Sequence, residues 1–95
     1  MKKFKNILVI GLGMMGGSLC RSIKKYKLSE KISAYDINKK SLQYAKRAKI
    51  IDFVVKDYSN MPHPDIIIIC SPISSYLEII NQVKRYIKKR TLLTD

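Results

Sequence analysis

The chain has 95 residues, a hydrophobic fraction of 46% and a formal net charge of +12. This length fits one small domain, and no apolar run approaches the roughly 20 residues that cross a bilayer. The two cysteines, Cys20 and Cys70, stand far apart with no CxxC motif, so we expect reduced thiols and no metal site. No cleavable leader follows Met1, and the expected location is therefore cytoplasmic.

The first half of the chain alternates between strand-like and helix-like patterns. Asn6–Ile10 is a continuous apolar run that predicts a buried strand, which Gly11 ends. Residues 14–28 then show helical spacing. The inward face of this helix would consist of Met15, Leu19, Ile23 and Tyr26. Residues 31–36 predict a second strand, which ends in an acid.

The same alternation continues in the second half. Asn38 is expected to cap a helix that runs through Lys49. Its inward face would consist of Leu42, Ala45 and Ala48. A weak third strand at 52–55 precedes a loop at 56–64, and Ile66–Ile69 is the clearest buried strand. A helix is predicted after Pro72, and its inward face would consist of Tyr76, Ile79, Ile80, Val83 and Ile87. Residues 91–94 predict a fifth strand.

The alternation predicts an α/β fold, a doubly wound parallel sheet of about five strands with helices on both faces. All four glycines of the chain fall in the single turn between the first strand and the first helix. Gly11, Gly13 and Gly16 form a GxGxxG motif in the context where it binds a dinucleotide. The first permits a tight turn, the second admits a pyrophosphate, and the third lets helix and strand pack closely. The strand order expected of this Rossmann-like domain, residues 1–95, is 3-2-1-4-5.

Asp36 supports this interpretation because it ends the second strand about 20 residues after the motif. A carboxylate at that point accepts hydrogen bonds from the adenosine ribose hydroxyls and repels a 2′-phosphate. We therefore expect NAD rather than NADP as the cofactor, although Lys39 and Lys40 place cations nearby. The competing interpretation is a purely structural turn followed by a surface aspartate.

The residues from Gly11 to Leu19 (GLGMMGGSL) resemble the opening of prephenate dehydrogenases. The resemblance continues through Tyr35–Asn38, Ile51–Asp52, Asp65–Pro72 and Leu93–Asp95, and so spans essentially the whole chain. It implies an NAD-dependent oxidoreductase of tyrosine biosynthesis that oxidatively decarboxylates prephenate to 4-hydroxyphenylpyruvate. The resemblance also places Ser71 and Pro72 beside the nicotinamide ribose. The expected cofactor-binding set is Gly11, Leu12, Gly13, Met14, Met15, Gly16, Asp36, Ser71 and Pro72, with Gly17 extending the turn.

Two departures from the family pattern stand out. Lys49 and Ile50 occupy the place of a glycine that ends the second helix in a left-handed conformation; a lysine there costs about 1 kcal/mol, or the helix ends differently. The catalytic histidine and the helical domain of the family would follow Asp95. The sole histidine, His63, is expected at the edge of the sheet opposite the cofactor. We therefore expect no catalytic residue, no turnover by this chain alone and a possible homodimer through the exposed face.

Most basic residues would lie where helices end and strands begin, away from the cofactor, where they complement the helix dipoles. A nucleic-acid interface is the alternative, but no recognition motif supports it. Three further alternatives remain open: an arogenate dehydrogenase, another β-hydroxyacid or imine-reducing dehydrogenase, and a non-catalytic nucleotide-sensing module like those of potassium transporters.

Overall fold

A computed structural model describes residues 4–86 and 92–94. Its strands are β1 (Phe4–Ile10), β2 (Ser29–Tyr35), β3 (Phe53–Val54), β4 (Ile66–Ile69) and β5 (Leu92–Thr94). Its α-helices are α1 (Met14–Lys25), α2 (Lys39–Arg47) and α3 (Tyr76–Val83). Short 3₁₀ helices occupy Tyr58–Asn60, Ile73–Ser75 and Lys84–Tyr86. Ile87 of the predicted last helix and Thr91 of the predicted fifth strand lie outside the described residues.

The five strands form one parallel sheet in the order β3-β2-β1-β4-β5. Ile7 of β1 is in register with Ile32 of β2 on one side and Ile66 of β4 on the other. The chain therefore leaves β1 toward β2 and later returns to its other side, which creates a switch point at the carboxyl ends of β1 and β4. Ligands of open α/β sheets bind at such a point. The predicted fold class and strand order are confirmed.

Alternation along β1 divides the core into two layers. Ile7 and Val9 pack with Cys20 and Ile23 of α1 and with Leu42 and Ala45 of α2. Leu8 and Ile10 face the other side, where they pack with Val83 of α3. Because successive side chains of a strand point to opposite faces, one continuous apolar run fills both layers. Helices on both faces are thereby confirmed.

The predicted inward face of α1 was partly wrong. Ile23 is buried and Leu19 packs partly against the core, but Met15 is 80% and Tyr26 64% exposed. The buried residues of α1 are Gly16, Cys20 and Ile23, so Gly16 and Cys20 were the ones missed. Apolar spacing alone favoured the large side chains, whereas the helix turns its glycine inward so that its backbone can approach β1.

Helix α2 begins as predicted, because the Asn38 side chain accepts hydrogen bonds from the backbone amides of Lys40 and Ser41. It ends earlier than predicted, at Arg47, and Ala48 is exposed rather than inward. Lys49 follows with φ of 61°. The Ile50 amide donates to the Ala45 carbonyl and the Lys49 amide to that of Lys46, which is a Schellman motif. Helix α2 therefore ends in a left-handed conformation although the residue there is a lysine and not a glycine.

In the described chain, no α-helix connects β3 to β4. The core layer around Leu8 and Ile10 is filled there by a loop. The predicted loop at 56–64 contains the 3₁₀ turn Tyr58–Asn60, and Tyr58 and Met61 pack against the inner residues of that layer. The Tyr58 ring lies 5.0 Å from that of Tyr35, tilted by 48°. The loop therefore places Tyr58 beside the carboxyl end of β2.

Candidate functional site

The glycine turn joins β1 to α1 at the carboxyl edge, and two of its glycines are required by the protein itself. Gly11 has φ of 101°, a left-handed value that side chains disfavour. A Cβ on Gly16 would lie 1.9 Å from the Gly11 carbonyl oxygen. Gly16 therefore packs the start of α1 onto the turn, and it lies behind the site rather than in it.

Gly13 differs from both neighbours, because a Cβ built there meets no protein atom within 4 Å. Its φ of −57° and ψ of −166° are open to other residues as well. Nothing within the described chain explains a glycine here, while a ligand that approaches the backbone closely does. The backbone at Gly13 is therefore open to such an approach from the solvent side.

The start of α1 next to Gly13 is suited to an anion. No side chain caps this helix end, and its first turn carries no acid. Free backbone N–H groups and the positive end of the helix dipole therefore face outward. Met14 and Met15 are 92% and 80% exposed at the same end, so these predicted site residues offer their backbone rather than a buried side chain.

Asp36 follows β2 and lies directly beside the turn. Its Oδ2 atom accepts a hydrogen bond of 2.7 Å from the Leu12 amide, and its Oδ1 atom accepts one of 2.8 Å from the Asn38 amide. The predicted acid and the predicted turn are thus in contact. The contact itself was not predicted, since nothing in the spacing of 24 residues distinguishes a bonded carboxylate from a neighbouring one.

A cleft of about 460 Å³ brings the predicted residues together. Those on its walls are Gly11, Gly13, Asp36, Ser71 and Pro72. Leu12 contributes through its bond to Asp36, while Gly16 is buried beneath. The cleft also includes Tyr35, Ile37 and Tyr58, which sequence reasoning missed. Ile37 is 88% exposed, and its place directly after the predicted acid was the available signal that it borders the cleft.

Ser71 closes the far wall of the cleft, where β4 ends. Its hydroxyl lies 3.5 Å from the Ile10 carbonyl oxygen, and a Cβ on Gly11 would come within 2.9 Å of it. Cys70 beside it is half-buried, and burial raises the pKa of its thiol. Burial, with a smaller contribution from Cys70, raises the pKa of Cys20 to about 12. Both cysteines are free thiols, and these shifts make them poor nucleophiles.

The two lysines after Asp36 occupy different surfaces. Lys39 lines a hollow together with Asp36, Ile37 and Lys56. Lys40 instead borders a groove between α1 and α2, which also contains Arg21. Of the two lysines that follow Asp36, Lys39 therefore shares a surface with the acid and Lys40 does not.

His63 lies at the amino edge, as predicted, where its carbonyl oxygen faces the Asn6 side-chain amide at 3.5 Å. It is therefore at the opposite end of the sheet from the cleft. Across residues 4–86 and 92–94, no group of three potential metal ligands occurs, and no helix is long and apolar enough to cross a membrane.

Residues 19–95 match the sequence family described as prephenate dehydrogenase, nucleotide-binding domain. The chain belongs to this family. It is 36% identical over 92 residues to the prephenate dehydrogenase of Lactococcus lactis subsp. cremoris, covering 96% of this chain and 26% of that protein. It is 27% identical over 96 residues to the cyclohexadienyl dehydrogenase of Zymomonas mobilis, covering this whole chain and 33% of that protein. The chain thus spans about a quarter to a third of the length of these relatives.

Solved structures agree with this placement. Prephenate dehydrogenase from Aquifex aeolicus, in complex with hydroxyphenyl propionate and NAD⁺, superimposes with a TM-score of 0.90 at 30% identity, over 96% of this chain and 32% of that one. Synechocystis arogenate dehydrogenase superimposes with a TM-score of 0.86 at 22% identity, over 95% of this chain and 32% of that one. The second likeness concerns the fold alone.

Proposed function

We propose that this chain binds NAD in the cleft between the glycine turn, Asp36 and Ser71, as the nucleotide-binding part of a prephenate dehydrogenase. The observation that carries the proposal is Gly13, a glycine that the described protein does not need and that a closely approaching pyrophosphate does. Family membership and the NAD⁺ complex of the Aquifex relative support the same ligand.

The charges of the cleft favour NAD over NADP. The uncapped end of α1 would receive the pyrophosphate, and the Asp36 carboxylate would accept hydrogen bonds from the adenosine ribose hydroxyls. A 2′-phosphate would place a second negative charge against the Asp36 carboxylate. Lys39 and Lys56 line a neighbouring hollow that also includes Asp36, and their positive charges would weaken this discrimination. The Asp36 carboxylate itself lies on the cleft wall, where two backbone amides hold it at the turn.

The nicotinamide end would lie beside Ser71 and Pro72, on the far wall of the cleft. When bound there, NAD supplies the hydride acceptor for the oxidation of a cyclohexadiene acid, prephenate or arogenate. This chain's own contribution would be to orient the cofactor. Its sole histidine lies at the opposite edge of the sheet, so we expect no turnover of prephenate by the 95 residues alone.

The test is a fluorescence titration of the chain with NADH and NADPH at about 0.15 M ionic strength, with Gly13→Ala beside the wild type. We expect tighter binding of NADH than of NADPH. Gly13→Ala should weaken NADH binding by about tenfold or more, since a methyl group would occupy the place of the phosphate oxygens. Its free energy of unfolding should stay within about 0.5 kcal/mol of the wild type, because the new Cβ meets no protein atom.

Two outcomes would contradict the proposal. Equal binding of NADH by Gly13→Ala and the wild type would show that the cofactor does not approach the turn. Absence of NADH binding by the folded wild type would leave the glycine turn with a structural role only.

A further inference from the structure

From the hydrogen bonds of Asp36 we infer that this residue is also the positioning residue of the phosphate turn, in addition to its role as the ribose acceptor. The inference rests on the proposed function for its ligand. Its structural part rests on the contact between Asp36 Oδ2 and the Leu12 amide at 2.7 Å. Replacing Asp36 would therefore disturb two parts of the cofactor site at once.

Consecutive residues at the end of β2 hold consecutive residues of the turn. The Tyr35 carbonyl oxygen accepts from the Gly11 amide at 2.8 Å, and the Asp36 carboxylate accepts from the next amide, that of Leu12. The Leu12 contact is partly buried, whereas the Asp36 contact to the Asn38 amide is exposed. Water replaces an exposed partner easily, but a partly buried amide that loses its acceptor is left poorly satisfied.

The turn needs such a contact because its own residues supply little rigidity. Gly11 and Gly13 have no side chains to fix the backbone, and each glycine has wide conformational freedom in solution. The Leu12 amide lies between them. A carboxylate that accepts from this amide selects one arrangement of the turn before the pyrophosphate arrives.

The carboxylate still has capacity for the ribose. Each oxygen of an ionised aspartate accepts more than one hydrogen bond, and each uses one on a backbone amide here. Binding of the adenosine ribose would therefore engage a carboxylate that is already oriented by the turn. Ribose recognition and pyrophosphate recognition then depend on the same side chain.

The structural part is tested by amide hydrogen exchange, followed by NMR on the cofactor-free chain. Asp36→Ala should speed exchange of the Leu12 amide by on the order of tenfold. Asp36→Asn should restore slow exchange, because its single amide oxygen can still accept from the partly buried Leu12 amide, while the exposed Asn38 amide turns to water. Asp57→Ala is the matched control: Asp57 accepts from the Ser59 amide two residues on, the same local geometry as Asp36 with Asn38, and does not touch the turn.

The functional part compares ADP with 2′,3′-dideoxy-ADP, a probe that keeps both phosphates and lacks the hydroxyls that Asp36 would bind. The Ala and Asn variants both remove the negative charge, so their difference isolates the hydrogen bond to Leu12. Asp36→Ala should bind the dideoxy probe about threefold to tenfold more weakly than Asp36→Asn, the range expected for one net hydrogen bond. Asp36→Asn should bind the probe at least as tightly as the wild type.

The outcomes separate the two ideas. Equal Leu12 exchange in Asp36→Ala and the wild type, or equal affinities of the Ala and Asn variants for the dideoxy probe, would overturn the positioning role while NADH binding still stood. If the wild type bound neither ADP nor NADH, the proposed cofactor site would fail, and with it the use of the turn for phosphate. The exchange rate of the Leu12 amide would then show only whether Asp36 holds the turn in place, without any link to a cofactor.

Discussion

Aspartate carboxylates accept hydrogen bonds from backbone amides at both edges of the sheet. The two edges differ in the groups that surround these carboxylates. At the amino edge, Asp52 donates its amide to the Ile32 carbonyl at 2.8 Å and accepts from the Ile32 amide at 2.9 Å. Asp65 makes the same exchange with Asn6, at 2.9 and 3.2 Å. At the carboxyl edge, Asp36 accepts from the Leu12 amide.

The neighbours decide the role of each bridge. The second oxygen of Asp52 pairs with Lys24 at 3.1 Å, so that carboxylate is occupied on both sides by the protein. Asp36 stands against a turn of glycines and an open cleft. The same kind of hydrogen bond therefore joins strands at one edge and, at the other, holds the turn that lines the proposed cofactor cleft. Mutations at the two edges should separate stability from cofactor affinity.

The largest effect is expected at Gly16, where the carboxyl edge also carries stability. Gly16→Ala would place a Cβ 1.9 Å from the Gly11 carbonyl oxygen. The oxygen is a backbone atom and the position of a Cβ is fixed by its own backbone, so no side-chain rotation can relieve the clash. We expect a loss of about 3 kcal/mol or more in the free energy of unfolding, at the upper end of overpacking effects, and loss of NADH binding. Urea denaturation followed by circular dichroism measures the first.

Gly13→Ala is the matched control for this prediction, since it adds the same methyl group three residues earlier in the same turn. Its free energy of unfolding should stay within about 0.5 kcal/mol of the wild type. Similar destabilisation by the two substitutions would show that the turn packs differently from the arrangement described above.

An intermediate effect is expected at Asp52, where stability should change without cofactor affinity. Asp52→Ala removes the acceptor of the Ile32 amide and the partner of Lys24, and we expect a loss of about 1–2 kcal/mol in the free energy of unfolding. NADH affinity should be unchanged, because Asp52 lies at the opposite edge from the cleft. Urea denaturation and the NADH titration give the two values.

Lys24→Met separates the two contributions of Asp52. The ion pair is more than a third exposed on both sides, and exposed pairs contribute little. We therefore expect Lys24→Met to cost less than about 0.5 kcal/mol. A cost as large as that of Asp52→Ala would mean that the ion pair, rather than the backbone bridge, holds the amino edge.

Much of the fold could be predicted, because the apolar runs and their alternation with helices are compatible with only one kind of sheet. The run Ile66–Ile69 and the apolar residues of β1 predicted buried strands, and alternation with helices then left a parallel sheet. What failed was the orientation of α1, where Met15 and Tyr26 were placed inward. Helical spacing gives the period of a helix, but its rotation was set by the close approach of Gly16 to Gly11, a tertiary contact that apolar spacing does not encode.

The candidate site divides in the same way. The motif and the acid were recognisable because their spacing is tied to a mechanism, and the cleft brings Gly11, Gly13 and Asp36 together with Ser71. The bond from Leu12 to Asp36 and the place of Tyr58 were not predictable. Both depend on how loops of different strands meet at one edge, and local sequence carries no signal for that.

The smallest effect is expected at the end of α2, where sequence left two possibilities open. Lys49 has φ of 61°, which costs a non-glycine residue about 1–2 kcal/mol. Glycine would remove this strain but adds freedom to the unfolded chain, which offsets about 0.4–1 kcal/mol of the gain. Lys49→Gly should therefore raise the free energy of unfolding by roughly 0.5–1 kcal/mol.

The control for Lys49→Gly is Gln43→Gly, an exposed position inside α2, which should instead lower the free energy of unfolding by about 1 kcal/mol. Urea midpoints of the two variants should thus move in opposite directions, with NADH affinity unchanged by Lys49→Gly. If Lys49→Gly destabilised the chain as Gln43→Gly does, Lys49 would lie in the right-handed region in solution. The amide bonds of Ile50 and Lys49 that close the Schellman motif would then be absent, and α2 would end by another route.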